Sequence, residues 1–189
     1  MIPGALRLIA LLWAAWALCW VVAAFGAKPV ERRESFASRL AHLVPLAAAA
    51  WLLATPRLAG WLGTAFVAPG AVLAVIATTL VATGLSFAVW ARVALGGNWS
   101  GTVTLKRGHT IVRTGPYRWI RHPIYSGLLL ATAGTALAVG EWRGPVALAI
   151  VCGALARKIR LEERWLSEAF GAAYTDYRAT SWALMPLVF

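Results

Sequence analysis

The sequence predicts an all-α integral membrane protein of about five transmembrane helices, the last two a short hairpin, with a C-terminal interfacial helix. Three observations lead there. Of 189 residues, 60% are hydrophobic and only 13% charged, with a mean hydropathy of +0.70, too apolar for a soluble domain of this size. Apolar runs recur at lengths suited to a bilayer, where a crossing helix needs about 20 residues. The basic residues fall in alternate connections, as the positive-inside bias requires.

The first run, Ala5 to Phe25, is too long for a cleaved signal and no small-x-small site precedes a soluble domain, so it reads as an anchor helix. The second covers Leu40 to Ala54. The third lies within Thr64 to Leu95, with Pro69 and Gly70 marking its true start. The fourth, Tyr125 to Val139, and the fifth, Pro145 to Ala156, are short and joined by Gly140-Glu141-Trp142-Arg143-Gly144, which makes them a tight hairpin. With five spans, 15 of the 18 Lys and Arg residues lie on one side, leaving Arg7, Arg57 and Arg143 on the other. An even number of spans spoils this partition. The expected location is therefore a multi-pass position in a bacterial inner membrane, N-terminus outside and C-terminus cytoplasmic.

The chain reads as a single membrane domain over 1–189, with N-terminal transmembrane helices in 1–60 and a functional core in 91–178. The net charge of +11 does not indicate nucleic acid, because the cations sit beside apolar segments rather than along a basic stripe. Cys19 and Cys152 lie in predicted spans without CxxC or metal-like Cys/His spacing, so no disulfide framework and no metal site is expected. His42, alone in the second span, reads as a packed or interfacial histidine.

Function is expected in the two long polar segments that share a side, the third loop from Ala91 to His122 and the tail. The loop carries Gly96-Gly97-Asn98-Trp99-Ser100-Gly101 and a β-prone Thr102-Val103-Thr104-Leu105, but no Walker motif and no GxGxxG after a soluble strand. It ends in Gly115-Pro116-Tyr117-Arg118-Trp119-Ile120-Arg121-His122-Pro123-Ile124-Tyr125-Ser126-Gly127. Singly, these residues have structural explanations: Arg118 and Arg121 satisfy the charge bias, Pro123 suits a first helical turn, and Tyr117, Trp119 and Tyr125 fit an interfacial belt. Together they place a titratable imidazole, His122, at a helix entrance.

Projecting Arg157 to Phe170 at about 100° per residue gives an amphipathic helix lying in the interface. Lys158 and Glu162 project from within its apolar arc and Glu163 from its edge. Either Lys158 and Glu162 form an i,i+4 ion pair, in the poorer orientation, or Glu162 points at a ligand.

The segments His109-Thr110-Ile111-Val112-Arg113-Thr114-Gly115-Pro116-Tyr117, Arg121 to Gly127, Glu162-Glu163 and Phe170-Gly171-Ala172-Ala173-Tyr174-Thr175-Asp176-Tyr177 together resemble the isoprenylcysteine carboxyl methyltransferase family, which is related to the phospholipid methyltransferases. The resemblance spans Arg92 to Arg178. It implies a membrane-embedded methyltransferase that uses S-adenosylmethionine, with S-adenosylhomocysteine as product, and 91–178 as the cofactor-binding core. By position it assigns His109, Gly115, Tyr117, His122, Pro123, Tyr125, Glu162 and Glu163 to the cofactor pocket. Lys158 stands where prenylcysteine-directed members often carry Arg, and Gly97-Asn98-Trp99-Ser100 resembles the bacterial branch.

If the acceptor is a carboxylate, two opposite charges vanish as the bond forms, so a dry pocket that aligns donor and acceptor suffices and no general base is needed. An amine or thiol needs one, with His109 or His122 the candidates by type. In this scheme Glu162 or Glu163 holds the ribose hydroxyls or amino group, Tyr117 and Tyr125 line the adenine or sulfonium region, and Arg121, Lys158 or Arg160 orients an anionic acceptor. The expected partners are a lipophilic substrate entering from the bilayer and membrane lipids. A phospholipid amine, a small thiol and a non-catalytic scaffold stay open as alternatives, whereas a transporter is disfavoured because spans one, two, four and five lack acidic residues.

Overall fold

The computed structural model describes residues 3–25, 29–99, 104–106 and 110–185. Helices α1 (Pro3–Ala24), α2 (Phe36–Ala54) and α3 (Ala71–Leu95) are long and apolar enough to cross a bilayer, and α4 (Pro123–Val139) is a shorter apolar helix. Gly70 caps α3, where the Pro69-Gly70 pair predicts its start. The hairpin is also present, but α5 (Arg143–Phe170) runs unbroken for 28 residues. The predicted fifth span and the predicted interfacial segment are one helix, because no residue from Ala156 to Lys158 breaks it; its polar part from Arg157 onward projects out of the apolar layer. A short α6 (Ala172–Ala179) follows after Gly171.

Small residues let α3 and α4 pack backbone to backbone. A Cβ added at Gly127 would lie 2.5 Å from the Gly84 carbonyl oxygen, and one at Gly134 2.7 Å from that of Ala77. Lipid tails supply no hydrophobic force between helices, so this close approach is what makes dispersion contact effective. Trp13 Nε1 on α1 donates to Thr135 Oγ1 on α4 at 3.0 Å, adding a polar tie within the apolar layer.

The two ends of the bundle differ. At one end the α4–α5 turn is closed by Gly140 at φ 68, a conformation that favours glycine. There Phe66 N–H donates to the Gly140 carbonyl at 3.0 Å, and buried Arg143 pairs with Glu141 at 2.7 Å while donating to the carbonyls of Leu52 and Thr55. At the other end β1 (Val30–Arg33) pairs antiparallel with β2 (Thr104–Lys106), Arg32 meets Glu168 at 2.9 Å, and Arg113 Nη2 donates to the Ala173 carbonyl at 2.5 Å. The first loop, third loop and tail therefore gather at one end, as the charge partition predicts. The β1 strand, in a charged segment without alternation, has no local signal in the sequence.

Candidate active site

The segment entering α4 is built by turn chemistry. Gly115 (φ 57) opens a 3-10 turn over Gly115–Arg118, which buries Tyr117 against Ala91 and Ile124. His122 is the N-cap of α4 and Pro123 its first residue, where a missing N–H costs nothing. The C-terminal segment then runs alongside: Trp182 N–H donates to the Trp119 carbonyl at 2.9 Å, Arg121 N–H to that of Trp182 at 2.8 Å, and His122 N–H to that of Ala183 at 3.0 Å. Tyr177 on α6 adds a hydrogen bond from its hydroxyl to the Tyr117 carbonyl at 2.5 Å. The His122 backbone is fixed from both sides before any side chain is considered.

Successive residues of a helix point about 100° apart, and α5 uses this to aim two carboxylates differently. Glu162 faces inward, where Oε1 accepts from the Tyr125 hydroxyl at 2.7 Å and lies 4.0 Å from Lys158 Nζ. Glu163 faces α6 and the C-terminal segment, 2.7 Å from Arg121 Nε and 3.6 Å from Arg178 Nε. The His122 ring sits between them, Nδ1 3.5 Å from Glu162 Oε2 and Nε2 3.4 Å from Glu163 Oε1, and lies parallel to the Tyr125 ring at 5.5 Å between centroids.

These contacts decide protonation. Burial pushes the His122 pKa down, but hydrogen bonding and attraction from Glu162 and Glu163 outweigh it and hold it above its ordinary value. Burial pushes Glu162 up, yet His122, Lys158 and Tyr125 bring it below the usual carboxylate range. Glu163 falls to about 2, because His122 and Arg121 outweigh its burial. Burial, with Glu162 nearby, raises Tyr117, which stays a neutral phenol. Near neutral pH the cluster is thus an imidazolium clamped by two carboxylates.

The cluster forms one wall of a cavity of about 280 Å³. The remaining walls are largely apolar: Trp20 of α1, Leu46 of α2, Leu95 and Trp99 after α3, Ile124 and Leu128 of α4, and Leu155, Trp165 and Leu166 of α5. Arg92 supports the mouth by donating to the carbonyls of Gly96 and Ala23 and lying 4.5 Å from the Trp99 ring centroid.

The structure brings Tyr117, Arg121, His122, Tyr125, Lys158 and Glu162 to this cavity. Gly115 and Pro123 shape the backbone around it, and Glu163 braces it from behind. His109 lies outside the described residues. Arg160 is a correction: it is exposed on the face of α5 turned away from the cavity, two residues and about 200° round the helix from Lys158, so it does not line the site. Arg121 donates to Glu163 and to the carbonyls of Arg178 and Ser181, which ties down the C-terminal segment. The alternatives posed for Glu162 both hold, since it meets Lys158 and also faces the cavity. His42 is packed, as read, but beside a buried carboxylate, Glu34, at 3.5 Å. Sequence reasoning missed the cavity walls from Trp20, Leu46 and Trp165, and the role of the segment around Trp182. Tyr174 and Tyr177, which also line the cavity, lie three apart within the quoted motif, a spacing that puts them on one helix face.

The fold and site define a polytopic membrane protein with a charged, half-apolar cavity at its basic end. Residues 74–168 match the model of the isoprenylcysteine carboxyl methyltransferase (ICMT) family, and the chain belongs to that family. Among its relatives, the protein-S-isoprenylcysteine O-methyltransferase of Saccharomyces cerevisiae is 38% identical over 74 residues, covering 37% of this chain and 30% of that protein. The protein-S-isoprenylcysteine O-methyltransferase of Schizosaccharomyces pombe is 31% identical over 101 residues, covering 52% and 43%. Protein-S-isoprenylcysteine O-methyltransferase B of Arabidopsis thaliana is 29% identical over 102 residues, covering 52% of each. The solved structure of the eukaryotic intramembrane Ras methyltransferase ICMT superposes with a TM-score of 0.58 at 25% identity, covering 61% of this chain and 43% of that one. The chain thus spans about a third to a half of the length of these relatives.

Proposed function

We propose that this chain is a membrane-embedded S-adenosylmethionine-dependent methyltransferase whose acceptor is a lipophilic carboxylate of the isoprenylcysteine kind. The observation that carries the reading is Glu162, a buried carboxylate facing an apolar cavity and held ionised by His122, Tyr125 and Lys158. An ionised carboxylate is expensive to bury unless a ligand's charge or hydroxyls use it. The residues present fit a sulfonium nucleotide: Glu162 for its cation or ribose hydroxyls, and the rings of Tyr117 and Tyr125 for its adenine or sulfonium region.

When bound, S-adenosylmethionine supplies an electrophilic methyl group: the acceptor oxygen forms the new C–O bond, the S–CH3 bond breaks, and the electron pair remains on sulfur as S-adenosylhomocysteine leaves. Glu162 orients the donor. Lys158, lining the same cavity, presents the cation that draws in an anionic acceptor. The apolar walls exclude water, so opposite charges need little solvent reorganisation as they cancel. His122, clamped as an imidazolium, holds Glu162 in place and has no lone pair with which to deprotonate an amine or thiol. That favours a carboxylate acceptor, which needs no base.

The gathering of cations at the cavity end supports an orientation with that end, and the C-terminus, in the cytoplasm and the N-terminus outside, in a bacterial inner membrane. The test is to incubate purified protein with methyl-labelled S-adenosylmethionine and N-acetyl-S-farnesylcysteine. Label recovered as a volatile, base-released product supports the ester. Label fixed in lipid but stable to base contradicts a carboxylate acceptor, and no transfer to any lipid contradicts the enzyme reading.

A further inference from the structure

The molecule holds a second buried charged group that the proposed chemistry does not use. Glu34, just before α2, and His42, within it, are 6% and 1% exposed. His42 Nε2 lies 3.5 Å from Glu34 Oε1, and Ser38 Oγ donates to Glu34 Oε2 at 2.8 Å. Arg157 of α5 closes the group, donating to the Ser38 carbonyl at 3.1 Å and to Ser38 Oγ at 3.2 Å. All three α2-side residues precede residue 74, where the family match begins.

Packing places this group next to the cavity. The antiparallel contact of α2 with α5 is pinned at one end by Arg143 to the Leu52 carbonyl and at the other by Arg157 to that of Ser38. His42 therefore faces the stretch of α5 leading to Lys158, and Leu46, one turn along α2 from His42, lines the cavity with Lys158. The charges acting on His42 are those of Glu34, Lys158, Arg157 and Glu162.

We propose that His42 is a positioning residue for the acceptor: by taking up the charge of Glu34, it keeps Lys158 directed at the incoming carboxylate. The inference rests on the acceptor role proposed for Lys158. A buried carboxylate requires compensation. With His42 in place, Glu34 is answered by the imidazole and the Ser38 hydroxyl, so the Lys158 ammonium serves Glu162 and the substrate. Without His42, Glu34 draws on Lys158 and the acceptor loses its cation.

The test compares equilibrium binding of N-acetyl-S-farnesylcysteine with that of its carboxamide, in detergent with S-adenosylhomocysteine present. Wild type should prefer the carboxylate by about tenfold, the scale of one charge-assisted hydrogen bond. His42→Ala should lose that preference without weakening the carboxamide or S-adenosylhomocysteine, and Glu34→Gln in the same chain should restore it. A purely structural histidine has no reason to be rescued by neutralising Glu34. If His42→Ala does not fold, His42→Phe with and without Glu34→Gln carries the same comparison. A double variant as indifferent to the carboxylate as the single one overturns the proposal, as does a single variant that keeps the preference. Wild type that does not distinguish carboxylate from carboxamide overturns the acceptor role of Lys158 together with this inference.

Discussion

Replacing Glu162 by Gln is the most informative perturbation of the site. Glu162 Oε1 accepts from the Tyr125 hydroxyl at 2.7 Å and lies 4.0 Å from Lys158 Nζ, while Oε2 lies 3.5 Å from His122 Nδ1. The amide is nearly isosteric, so the cavity keeps its shape. It nevertheless carries no charge and turns one of its two acceptor atoms into a donor. A hydrogen bond involving an ionised partner is worth about 1.5–3 kcal/mol. If Glu162 holds the nucleotide through one such bond, the variant should bind S-adenosylhomocysteine about 10- to 150-fold more weakly. A further loss follows if His122, with one carboxylate fewer, turns away. Calorimetry in detergent measures this, and the melting temperature shows whether the variant is folded. A folded variant with wild-type affinity refutes the reasoning and leaves Glu162 as an ion-pair partner of Lys158 alone.

Two further predictions concern the frame around the site. Gly127→Ala should lower the melting temperature in detergent, because the new Cβ would meet the Gly84 carbonyl oxygen at 2.5 Å and force α3 from α4; overpacking of this kind costs about 1–3 kcal/mol. An unchanged melting temperature contradicts the close contact. The second is a pH dependence with opposite signs at its two ends. Glu163, lowered from 4.5 to about 2, contributes stability that is present above pH 4.5 and is lost as the pH falls through that interval. His122, raised above 6.5, contributes stability that is full below pH 6.5 and is lost as the pH rises through its elevated value. Melting temperatures should therefore peak on the acid side of neutrality, and His122→Asn should flatten the alkaline limb; a limb equally steep in that variant assigns it to another group.

The membrane helices were legible because bilayer thickness imposes a length on apolar runs and because cations mark one side. Their ends followed from local chemistry, as at Pro69-Gly70 before α3 and Gly140 after α4. The site motif was legible for the same reason: Gly115, His122 and Pro123 each fit one turn or cap, and a charged Glu162 on an apolar arc is anomalous by itself. What stayed hidden depends on distant pairing. Nothing local tells Trp182 to lie beside Trp119, Val30 to pair with Lys106, or Leu46 of α2 to face Leu155. The continuity of α5 was obscured by a change of solvent, since a single helix changes from apolar to amphipathic where it leaves the bilayer. Arg160 looked eligible by type and was removed by angle. His42 looked solitary because its partner, Glu34, lies eight residues away, beyond the start of its own helix.

The central claim is that the walls formed by the segment entering α4 and the second half of α5 seat a sulfonium nucleotide. Ultraviolet crosslinking of methyl-labelled S-adenosylmethionine, followed by peptide mapping, tests it most directly. Label should appear in the peptides spanning 110–128 and 155–177, should be competed by S-adenosylhomocysteine, and should vanish in Glu162→Gln. Competed label confined to α1, or to the far end of the bundle around Glu141 and Arg143, contradicts the claim.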